Sequence, residues 1–76
     1  MSKDKFKVVI YGFNCHTQLE LYADNFNLAG INAMHEALCE LDFTYAFYKK
    51  HTEAIQEAHA ILPNGHFLTL FIEKLS

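Results

Sequence analysis

The chain has 76 residues, 51% of them apolar or aromatic and 20% charged, with a formal net charge of −3. That balance is too apolar for a disordered chain, and no apolar run approaches the roughly 18 residues of a membrane span. All six cationic side chains are lysines (Lys3, Lys5, Lys7, Lys49, Lys50 and Lys74), so the Arg forks that read phosphate and guanine are missing and nucleic acid is excluded as an expected partner.

Residues 5–13, KFKVVIYGF, are rich in β-formers, and residues 16–24, HTQLELYAD, alternate apolar and polar. A turn at Asn14-Cys15 would pair them as a hairpin. Ile10 then faces Leu19, Val8 faces Leu21 and Phe6 faces Ala23 on a wholly apolar side. Val9 and Tyr11 share the mixed side with Gln18, Glu20 and Tyr22.

Residues 27–41 read as a helix, with Leu28, Ile31, Met34, Leu38 and Leu41 in one stripe and Asn25 or Asn27 as its cap. Residues 43–48, FTYAFY, read as a strand. Residues 52–62, TEAIQEAHAIL, read as a second helix, capped by Thr52 and stopped by Pro63-Asn64-Gly65. An alternative joins 43–62 into one long helix, giving ββααβ. Residues 66–74, HFLTLFIEK, read as the last strand.

The expected order is ββαβαβ in a single domain, 1–76. Two apolar helix stripes and one apolar sheet side predict an α+β two-layer sandwich, a four-stranded sheet with both helices on one face. The segment before the first strand has no apolar leader, which predicts a cytoplasmic protein with Cys15 and Cys39 reduced.

Two helices cover one sheet face only. The other should carry Tyr11, Phe13 and Tyr22 from the hairpin and Phe67 and Phe71 from the last strand. The third strand should add either Phe43, Tyr45 and Phe47 or Thr44, Ala46 and Tyr48. Such a Tyr- and Phe-rich surface has the composition of an interface centre. A chain this short buries only about 60% of its unfolded surface, which also favours completion by another chain.

Groups that could carry chemistry are few. His35 and Cys39, four residues apart on the first helix, could ligate a metal if Cys15 and His16 joined them. Cys15 or Cys39 could serve as a thiol nucleophile beside a histidine. The segment VVIYGFNC resembles the first strand and cysteine of glutaredoxins. Gln18 stands where that family has its second cysteine, and the following residues read as a strand where it has a helix, so no function is taken from it. No phosphate-binding glycine loop or hydrolase motif occurs.

The expected function is therefore a small non-catalytic protein–protein interaction module without cofactor. It would be homodimeric through its open sheet face or an edge strand, and would act as a regulator or inhibitor of the kind phages and mobile elements encode. The alternative is a Cys/His metal-binding or thiol-dependent enzyme.

Overall fold

A computed structural model of the chain describes residues 3–12, 15–37 and 42–75, with no description of the Cys15 side chain. In chain order it holds β1 (Asp4–Gly12), β2 (Cys15–Ala23), α1 (Phe26–Ala37), β3 (Thr44–Lys50), β4 (Ile55–Ile61) and β5 (Phe67–Lys74). The strands form one five-stranded antiparallel sheet in the order β2-β1-β5-β4-β3. The helix α1 lies on one side of it, packing on β2, β1, β5 and β4. Because every neighbouring pair is antiparallel, β2 and β3 run parallel at opposite edges, and α1 carries the chain between them.

The expected four-stranded sheet with two helices is therefore corrected. The second helix, 52–62, does not form, and neither does the alternative long helix over 43–62: residues 55–61 are the strand β4, paired with β3 and β5. The physical reason lies in the alternation of IQEAHAI. Gln56, Ala58 and Ala60 turn toward α1, the two alanines being fully buried, while Ile55, Glu57, His59 and Ile61 turn the other way. Ala, Glu and Gln favour helix locally, yet the apolar strand β5 requires a ladder partner on each side, and β4 supplies one of them.

The core follows from two periodicities. Phe6, Val8 and Ile10 of β1 and Leu68, Leu70 and Ile72 of β5 point to the same side and are fully buried. Each such side chain contributes about 1.5–3 kcal/mol of burial. Against them α1 sets mainly small residues, Ala29, Gly30 and Ala33, together with Met34. The expected stripe is thereby rotated. Leu28 is 39% exposed and Ile31 only half-buried, while Leu38 and Leu41 lie outside the described residues. Small helix residues let the backbone approach the large sheet residues closely. Asn25 is the cap, its Oδ1 accepting the Leu28 N–H at 2.8 Å.

The hairpin register also differs. Val8 pairs with Leu19 and Phe6 with Leu21, two residues from the expected pairing, and the ladder closes at Gly12 and Cys15 rather than around Asn14-Cys15. A shift of two leaves every side chain on its expected face, whereas a shift of one would have inverted them. Pro63-Asn64-Gly65, expected to stop a helix, makes the β4–β5 hairpin turn. The Gly65 N–H donates to the Leu62 carbonyl at 3.0 Å, the Leu62 N–H donates to the His66 carbonyl at 2.8 Å, and Gly65 has φ +91°. Proline, asparagine and a left-handed glycine are the residues that a type I turn closed by a glycine bulge requires.

Candidate interaction surface

The sheet has a second face that the helix does not touch. It carries Lys5, Lys7, Val9 and Tyr11 of β1, His16, Gln18, Glu20 and Tyr22 of β2, and Phe67, Thr69, Phe71 and Glu73 of β5. From β4 come Ile55, Glu57, His59 and Ile61, and from β3 Thr44, Ala46 and Tyr48. The second of the two expected β3 sets is thus the one on this face, while Tyr45 turns toward α1.

Cross-strand register divides the face into two ends. At one end Glu20, Lys7 and Glu73 stand side by side across β2, β1 and β5. Lys5 adds an ion pair there with Glu20, at 3.1 Å. The hydrogen bond and charge of Glu20 hold the Lys5 ammonium above its ordinary pKa. Both partners are well exposed, so this pair contributes little stability.

The other end is built of rings. Tyr11 stacks on Phe71 with centroids 5.7 Å apart, and His51 meets the same Phe71 at 5.6 Å. Phe67 meets His59 at 4.8 Å, and His59 stacks on Tyr48 at 4.6 Å. Two files of rings therefore cross the sheet, and both reach one carboxylate. His51 Nε2 is 2.8 Å from Glu57 Oε1, and His59 Nε2 is 3.6 Å from Glu57 Oε2. Glu57 is the least exposed of the three, its side chain retaining 14% of its accessible surface. The carboxylate holds the His51 imidazole by a hydrogen bond at the outer end of the first file, while His59 stands in the middle of the second, between Phe67 and Tyr48.

Of the residues expected at an interface, Tyr11, Tyr22, Phe67 and Phe71 all lie on this face. Tyr11, Phe71 and Phe67 belong to its aromatic end, and Tyr22 sits at the polar end beside Lys5. Phe13 lies outside the described residues. Three contributors escape a reading of the sequence alone: His51, Glu57 and His59; Tyr48 belongs to the second expected β3 set. Glu57 and His59 fall in the segment assigned to a helix. The strict alternation Ile55, Glu57, His59, Ile61 is the signal that places them together.

Of the four candidate Cys/His residues, the two histidines stand apart. His16 is on the open face of β2, whereas His35 is on α1 across the sheet, its ring 5.2 Å from that of Phe43. Cys39 lies outside the described residues, and the Cys15 side chain is not described. Among the described residues no group of three or more His, Cys, Asp or Glu is placed to hold a metal ion. A cleft of about 320 Å³ lined by Ile31, His35, Asp42, Phe43 and Tyr45 is on the helix side and belongs to neither end of the open face. No described helix is long and apolar enough to cross a membrane. Comparison with protein-family models, with curated proteins and with solved structures finds no match for this chain.

Proposed function

We propose that the chain is a non-catalytic protein–protein interaction module that regulates or inhibits a partner protein by laying its helix-free sheet face on it. The observation that carries this reading is the aromatic end of that face. Tyr11, Tyr48 and Phe67 are 39%, 59% and 51% exposed while already held against neighbouring rings, Tyr11 on Phe71 and Tyr48 and Phe67 on His59. Rings held in place before binding lose little conformational entropy when covered, which is the property of interface anchors.

Size supports the reading. Five strands at about 4.8 Å spacing and about 3.3 Å per residue give a face of roughly 24 by 25 Å in plan. That is of the order of the roughly 800 Å² each partner contributes to a standard protein interface. The polar end, with Lys7, Glu20 and Glu73 alternating in sign, would form the rim and set orientation. The matching surface on the partner would carry an apolar centre.

The test compares capture by the wild-type chain and by Phe67→Glu/Phe71→Glu from a lysate of its native host. A stoichiometric partner lost by the variant, with side-chain labelling of Tyr11, His59 and Phe71 suppressed in the purified complex, supports the proposal. Equal capture by both chains, or suppression of labelling confined to side chains on the α1 side, overturns it.

A further inference from the structure

The two edges of the sheet differ in a way the open face does not explain. The β3 edge is broken by a register shift between Phe47 and Lys49 and carries Lys49 and Lys50. A bulge and lysines are the usual devices that stop a sheet edge from pairing with another chain. The β2 edge has none of them. It is nine residues long, regular throughout its pairing with β1, and free of proline, glycine and lysine.

The backbone direction along β2 follows from one hydrogen bond. The Leu75 N–H donates to the Lys5 carbonyl at 2.8 Å, so the Lys5 backbone points toward β5. Alternation along an antiparallel strand then turns the backbone groups of Phe6, Val8, Ile10 and Gly12 toward β2. Their partners are Leu21, Leu19, Thr17 and Cys15. The N–H and C=O groups of His16, Gln18, Glu20 and Tyr22 therefore aim outward, where the sheet offers them no ladder partner.

We infer that β2 pairs antiparallel with β2 of a second copy of this chain, joining two sheets into one continuous ten-stranded sheet with Leu19 on the two-fold axis. Leu19 is the midpoint of Cys15–Ala23, so this register alone pairs the strand over its whole length. It sets Gln18 opposite Glu20 and His16 opposite Tyr22 of the other copy, twice each by symmetry. All four outward-aimed residues then exchange backbone hydrogen bonds, about eight in total at two per pair. No like charges stand directly opposite, and each Glu20 meets a carboxamide that can donate to it while keeping its Lys5 partner. A register centred on Glu20 would oppose two carboxylates. On the helix side Leu19 meets its own copy and Leu21 meets Thr17 at close, non-hydrogen-bonded positions. Leu19 and Leu21 are only partly buried in the single chain, so the contact covers apolar surface that β2 leaves open. This pairing is independent of the helix-free face and leaves both copies' aromatic ends uncovered, side by side in one sheet.

The test is sedimentation with amide exchange at tens of micromolar. The expected mass is about twice the 8.8 kDa of one chain, with the amides of His16, Gln18, Glu20 and Tyr22 protected only at concentrations where the dimer forms. Gln18→Pro removes an outward N–H and leaves the β1 ladder intact, and should give a folded monomer. Gln18→Glu, which opposes Glu20, should weaken association roughly five-fold at low salt, and Gln18→Lys should tighten it by a similar factor. These two charge variants decide the matter if Gln18→Pro fails to fold. A monomeric wild type, a dimer whose affinity ignores both charge variants, or outward amides that exchange freely in the dimer would overturn the inference. A dimer abolished instead by Phe71→Glu would place the contact on the aromatic face.

Discussion

Gly30 of α1 lies directly against the ring of Tyr45 from β3: a Cβ at Gly30 would stand 2.6 Å from Tyr45 Cε1. Glycine in mid-helix costs about 1 kcal/mol relative to alanine, and here the missing methyl makes room for an aromatic ring. Gly30→Ala should destabilise the protein by about 1–3 kcal/mol through overpacking. In a Tyr45→Ala background the same change should become stabilising by about 1 kcal/mol, the helix-propensity gain alone. Urea unfolding of the four chains measures this reversal, and a cost that persists without the ring would refute the packing account.

The same burial governs how Tyr45 titrates. Desolvation against α1 pushes its phenol up to about 12, from an ordinary value of 10.0. The neutral form is favoured in the folded state, so its contribution to stability is complete below pH 10 and declines as pH rises toward 12. Of the four tyrosines, the one removed by Tyr45→Phe should be the last to ionise in an alkaline absorbance titration. Unfolding at lower denaturant should set in over that pH window for the wild type and less steeply for Tyr45→Phe.

Asn25→Ala should remove about 1 kcal/mol, because the Leu28 N–H loses the side-chain acceptor that caps the first turn of α1. Asn25→Asp should retain the cap. Thermal unfolding distinguishes them, and equal losses in both variants would mean that something other than capping is at work.

Much of this architecture is legible in the sequence, and the failures have physical causes. The β1–β2 hairpin, the α1 segment and its Asn25 cap follow from alternation and capping chemistry that local context does not override. The segment 55–61 fails because its composition and its environment disagree. Alanines at 58 and 60 score as helix formers, yet they are small because Met34, Tyr45 and the α1 backbone come down on that side of the sheet. With that one segment read as a helix, Glu57 and His59 leave the open face. Tyr11, Tyr22, Phe67 and Phe71 remained visible because they belong to strands with clear period-two patterning.

Gly65→Ala isolates a backbone effect. Gly65 has φ +91°, and a methyl group at its Cα would meet nothing within 4 Å, so space is not at issue. The substitution should cost about 1–2 kcal/mol from the left-handed conformation alone. Gly65→Asn should cost less, since asparagine tolerates that region better than alanine. Matched losses for alanine and asparagine in chemical denaturation would contradict this.

The position of β5 in the sheet has a consequence for how the protein is made. The strand that is last in the chain order lies in the middle, between β1 and β4. Until residues 67–74 leave the ribosome, β1–β2–α1 and β3–β4 are two fragments with no strand to join them. Each then exposes the sheet edge that β5 will fill. A nascent chain halted at Gly65 would therefore present two unpaired inner edges to chaperones and to neighbouring chains. The folded sheet hides those edges by placing β5, made after the other four strands, at its centre.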